Sequence, residues 1–78
     1  MKDTFKLFIQ NSIEEKQKLL VSNSINEEDK ALIQEQIDNL TAMVEKVDAL
    51  EDGEKANEAI EDLKQTVAEM AEKLVSIN

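Results

Sequence analysis

Carboxylates are the most abundant chemical groups in this sequence. Glu14-Glu15 and Glu61-Asp62 are adjacent acid pairs, the raw material of general acid–base catalysis. Such a pair works when burial holds a proton on one member and a nucleophile or imidazole stands opposite. The chain has no Cys and no His, so both pairs are expected to be solvated helix surface. Asp48 to Gly53 resembles the opening of a calcium loop. Setting Gly53 at the loop's required glycine, however, puts Leu50 and Ala59 where oxygen ligands are needed. A helix end followed by a polar turn is the better expectation. Glu27, Glu28 and Asp29 could attract a cation, but consecutive helical residues point apart. Their expected task is to oppose the positive end of a helix dipole.

The remaining composition narrows the function classes. The 78 residues carry 9 Lys, no Arg and 18 acids, a net charge of −9. Without Cys or His there is no disulfide, thiolate nucleophile, zinc site or imidazole base. One Gly cannot build a phosphate-cradling loop, and no Arg supplies a bidentate phosphate clamp. The sequence therefore predicts a protein that is not an enzyme and holds no cofactor or metal. A chain this acidic repels the nucleic-acid backbone, so no direct nucleic-acid binding is expected. No apolar run exceeds three residues, against roughly 18 for a membrane span. Lys2 and the apolar run near Phe5 are too short for a secretory signal. A membrane role is thus not expected, and the expected compartment is the cytoplasm (the host cytoplasm if the gene is phage-borne).

Hydrophobic period and punctuation predict three helices, over 4–21, 27–51 and 55–76, in one domain covering 1–78. In the first, Phe5, Phe8, Ile9, Ile13, Leu19 and Leu20 share a face at 100° per residue, with Ser12 and Lys16 inside the stripe. Leu7 and Val21 point elsewhere, and Asp3 is the expected N-cap. Residues 22–26 form a polar connector. Ser24 with Glu27 fits a capping box, and Asn26 before Glu27-Glu28-Asp29 fits an Asx cap. In the second helix Ile33, Ile37, Leu40, Val44 and Val47 recur at spacings of 4, 3, 4 and 3. Gly53 is the expected left-handed stop after it. The third helix repeats the pattern most regularly, through Ala56, Ile60, Leu63, Val67, Met70, Leu74 and Ile77. Its Ala59, Ala68 and Ala71 would let a neighbouring helix approach closely. Continuing the seam position of Ile37 and Val44 lands on Glu51 and then, across Gly53, on Glu58, two residues out of phase with Ile60 and Val67. A seam absorbs such a slip badly, so a break is expected. Short connectors favour antiparallel neighbours, giving an all-α, up-down-up three-helix bundle with coiled-coil-like seams.

Charge divides unevenly: residues 1–25 carry +1, residues 26–53 carry −7 and residues 54–78 carry −3. A mildly basic first helix would pair with a strongly acidic second. Lys16, inside an apolar stripe, is expected to snorkel, or else to pair with an acid of another helix. Phe5, Leu7 and Phe8 are candidates for docking a partner, beside the plainer expectation that the aromatics pack into the bundle. The first helix is the shortest and its stripe is interrupted. Apolar surface is therefore expected to remain around Met70, Leu74, Val75 and Ile77. A homodimer or higher oligomer that tightens as salt screens the charge would follow.

The order of features resembles the N-terminal scaffolding-like delta segment of tailed-phage major capsid proteins. The stretches that carry it are Met1-Lys2-Asp3-Thr4-Phe5-Lys6-Leu7, then Glu14-Glu15-Lys16-Gln17-Lys18, then the heptads from Ile33. That resemblance implies assembly through coiled-coil contacts and no catalytic residues; the family's capsid shell domain is not expected within these 78 residues. The leading expectation is a helical protein–protein interaction or assembly module. The competing one is a small acidic phage-type inhibitor that imitates nucleic acid in a host protein's basic groove. Its mimic residues would be Glu27, Glu28, Asp38, Glu45, Asp48, Glu51 and Asp52.

Overall fold

Two polar breaks divide the chain, and each is held by its own hydrogen bonds. The computed structural model describes residues 2–75. It contains α1 (Lys2–Leu20), α2 (Glu27–Asp48) and α3 (Glu54–Val75). In the first break the Ser24 N–H donates to Ser22 Oγ at 3.3 Å, and the two hydroxyls lie 2.8 Å apart. Ser24 is thereby used inside the connector, and the capping box does not form. Asn26 is the cap instead: its Oδ1 accepts the Asp29 N–H at 2.8 Å. Asp3 is not an N-cap either. It lies within the first turn of α1, where a carboxylate still opposes the dipole.

The second break differs from expectation in two ways. α2 stops at Asp48 rather than Glu51, and the Leu50 N–H tightens onto the Val47 carbonyl at 3.1 Å. Gly53 does not terminate α2. With φ at +146° it is the residue from which α3 departs, and its carbonyl accepts the Asn57 N–H at 3.1 Å. Only glycine takes that φ without steric cost, so the one Gly marks the break for a different reason than a C-terminal cap.

The helices pack as an up-down-up bundle of three. Lys2 and Lys6, at the start of α1, reach Asp48 and Leu50, just where α2 ends. Gln36 of α2 reaches Met70 of α3, near that helix's own end. α1 and α2 make the closest pair, and α3 stands further from both. The core comprises Phe5 and Ile9 from α1, Leu40, Met43 and Val47 from α2, and Ile60, Val67 and Met70 from α3. Ile13, Val44 and Leu63 pack against it half-buried. The heptad seams thus face inward, as their spacing predicts.

Four side chains sit otherwise than one of the expectations for them, Phe5 only as a docking candidate, since its packing into the bundle is the plainer expectation. Phe5 is 3% exposed and belongs to the core, so it is not a free docking residue. Met70 is buried too, because α2 covers this part of α3 where α1 does not: Gln36 Nε2 donates to the Met70 carbonyl at 3.1 Å. Leu74 is half-buried, while Ile77 lies outside the described residues. Lys16 neither snorkels freely nor pairs with another helix. It is 8% exposed, and its ammonium donates to Ser12 Oγ one turn back at 2.9 Å. Desolvation holds the Lys16 pKa below its ordinary value, with the neighbouring Glu15 opposing the shift.

Candidate docking surface

An apolar cleft opens between α1 and α3, on the side of the bundle away from α2. Thr4, Phe5 and Phe8 line one wall, and Lys64, Val67, Ala68 and Ala71 the other. Its volume is about 460 Å³. The local reasons lie in the helical period. On α1, Phe5 and Ile9 take the centre of the buried stripe and leave Phe8 on its flank. Phe8 is accordingly 52% exposed, with its ring centroid 6.5 Å from that of Phe5. On α3, Ala68 and Ala71 flank the seam and are exposed. Val75, four residues beyond Ala71, continues the same flank and is 82% exposed. On α1, Leu19 continues the Phe8 flank and is also exposed. Of the three small residues expected to admit a neighbouring helix, Ala68 and Ala71 therefore face open space, because α3 stands away from α1, while Ala59 is half-buried.

Of the residues singled out for docking, the structure brings Phe5 and Phe8 together in the cleft, with Phe5 as floor and Phe8 as rim. Val75 lies on its extension. Leu7 is 58% exposed but points to another side of α1, and Met70 and Leu74 line the seam toward α2. Ala68 and Ala71 were legible as small residues but not as cleft walls, since the gap between α1 and α3 has no signature in either helix alone.

The acidic residues have a different distribution. Glu27, Asp38 and Glu45 fall within about 20° of one line on the outer face of α2 at 100° per residue. At about 1.5 Å rise per residue they are spaced by roughly 16 and 10 Å. Glu28 points to another side of the helix. Glu51 and Asp52 are exposed in the α2–α3 turn. Asp48 is exposed but engaged by a neighbouring helix: its carboxylate accepts from Lys6 Nζ. That hydrogen bond, with the charge of Lys6, lowers the Asp48 pKa, and reciprocally raises that of Lys6. Lys2 Nζ donates to the Leu50 carbonyl at 2.6 Å and to that of Asp48 at 3.4 Å. The Asp48 carbonyl is one that a helix end leaves without a partner, and the Leu50 carbonyl follows it in the turn. The basic start of α1 thus clamps the negative end of α2.

A second, smaller hollow of about 170 Å³ lies between α2 and α3, lined by Leu32, Glu35, Gln36, Asn39, Thr66, Glu69, Met70 and Lys73. Gln36 is buried here, and its Oε1 has no hydrogen-bond partner among the described residues. At 100° per residue Gln36 falls between Leu40 and Met43 on the buried face of α2, so helical phase carries a sign of this amide that its polar type conceals from a count of apolar residues alone. Among the described residues no group of three or more acids could hold a metal ion, and no helix is long and apolar enough to cross a membrane. Comparison with known proteins returns no match to a family model, a curated protein or a solved structure.

Proposed function

We propose that the chain is a non-enzymatic helical interaction or assembly module that docks a partner through the α1–α3 cleft. The observation that carries this reading is the cleft itself. Phe8 and the Ala68–Ala71 wall are apolar, open and contiguous, whereas Leu7 and Val21, the large apolar side chains exposed away from the cleft and its flanks among the described residues, do not belong to it. An exposed apolar patch rimmed by polar residues is a recurrent mark of an interaction site. Its walls come from two helices, and a groove between helices is a setting that can receive an amphipathic helix. The assembly role also agrees with what the resemblance to phage delta segments implies. The nucleic-acid mimic is less well supported. Its carboxylates that line up on α2, Glu27, Asp38 and Glu45, stand roughly 16 and 10 Å apart at about 1.5 Å per residue, and Asp48 is engaged by Lys6.

The test is affinity capture with two baits, the native chain and Ala68→Glu. Ala68 is exposed on a helix, and Glu is a good helix former, so the variant should keep its circular dichroism spectrum. The proposal expects a partner held by the native bait and lost with the variant. Equal capture by both baits would place recognition elsewhere and overturn the reading.

A further inference from the structure

We infer that the occupant of the α1–α3 cleft is a second copy of this chain, seated as a two-fold pair in which Phe8 of each copy packs on Ala68 and Ala71 of the other. This rests on the docking reading above and names its partner. Two observations point to a second copy. The first is charge. The chain carries −9, of which residues 26–53 hold −7, so most approaches of one copy to another are repulsive. The cleft is less acidic than the rest: its lining residues include no carboxylate, and its one cation, Lys64, is paired with Glu61 at 3.2 Å on the rim. Because it opens away from α2, pairing there leaves both acidic helices on the far sides. Each bundle is 15 to 18 Å across. Two stacked bundles therefore separate their α2 faces by more than three Debye lengths at physiological salt, where that length is about 8 Å.

The second observation is self-complementarity. A two-fold interface requires that a surface and its own copy fit, with residue i meeting j and j meeting i. The cleft carries a knob, the half-exposed Phe8 ring, beside a hole, the shallow wall of Ala68 and Ala71. Rotated onto itself, it offers each ring a small-residue seat. Phe8 with its Leu19 and Val75 extensions makes an apolar patch on the order of a few hundred Å² per copy. That is below the roughly 800 Å² per partner of a standard interface. The pair is accordingly weak and concentration-dependent, and it tightens as salt screens the remaining repulsion.

The experiment is sedimentation velocity on the full chain from about 10 μM to 1 mM, at low and at moderate salt, over the range where weak pairs form. Four proteins are compared: native, Ala68→Glu, Phe8→Lys and Leu7→Ser. The native chain should pass from monomer to dimer, at lower concentration in higher salt. Ala68→Glu and Phe8→Lys should each stay monomeric, and Leu7→Ser, changed on another side of α1, should match the native chain. Mixing Ala68→Glu with Phe8→Lys should restore a dimer. The introduced lysine and glutamate then meet at one of the two symmetry-related contacts, while the other keeps its native Phe8 and Ala68. A native chain that stays monomeric at 1 mM in moderate salt overturns the inference. If the two baits above still distinguish a partner, the docking reading survives that failure with a foreign occupant. A dimer unaffected by Ala68→Glu, or lost in Leu7→Ser, assigns pairing to another face and also overturns it.

Discussion

Leu40→Ala tests the packing of this bundle directly. Leu40 is fully buried on α2, within the cluster that joins all three helices. The change removes three carbons. At about 0.8 kcal/mol per buried methylene that forfeits roughly 2.4 kcal/mol of transfer free energy. The void adds about 24 cal/mol per Å³ that the neighbours fail to fill, bringing the cost to about 3–4 kcal/mol. Unfolding entropy near 2.1 cal/mol/K per residue over 78 residues converts this to a fall in Tm of about 20 °C. A single core of this size rarely supplies more than about 3–5 kcal/mol, so the variant should be largely unfolded at 25 °C. The comparison is Leu63→Ala. Its seam position is as regular as that of Leu40, but Leu63 is only half-buried because α3 stands off the other helices. It should cost about half as much. Thermal melts followed by far-ultraviolet circular dichroism measure both. A Leu40→Ala melt within 5 °C of native, or a Leu63→Ala loss as large as that of Leu40→Ala, would refute the packing argument.

Lys16→Met should stabilise by about 1 kcal/mol, since it keeps the buried stem and removes a desolvated ammonium. The folded pKa of Lys16 lies below 10.5, so the unfolded chain binds more protons between those two values. Native stability therefore gains from this group as pH rises toward 10.5, and urea titrations of Lys16→Met should lack that gain. Asp48 shows the opposite case. Its folded pKa is lowered, so its contribution is present above 3.8 and is lost as pH falls through the folded value. Asp48→Asn should flatten that part of the acid limb in melts taken stepwise below about pH 5. Gly53→Ala should lower stability by about 1–3 kcal/mol although an added Cβ meets nothing within 4 Å, because φ is +146°. A melting temperature equal to native would show that the turn relaxes freely.

Helix number, order and inward faces are properties of the chain read locally. The 4-3 spacing of Ile33, Ile37 and Leu40, and the 3-4 spacing of Ile60, Leu63 and Val67, specify which side of each helix must leave water. The phase slip at Gly53 marks a break, since one continuous seam cannot serve both registers. Asn26 and its acids announce the start of α2. What the helices do to one another is not local. Burial of Met70 depended on α2 rather than α1 covering it, and the openness of Phe8, Ala68 and Ala71 depended on the width of the α1–α3 gap. Periodicity reports the direction of a side chain about its own axis, but not the distance to the next axis. The clamp of Lys2 and Lys6 on the end of α2 likewise joins residues more than forty positions apart. Charge asymmetry foretold attraction between the two helices. Only the antiparallel packing decided that it would act at the carbonyl of Asp48, where a helix end leaves oxygen atoms without partners, and at that of Leu50 in the turn that follows.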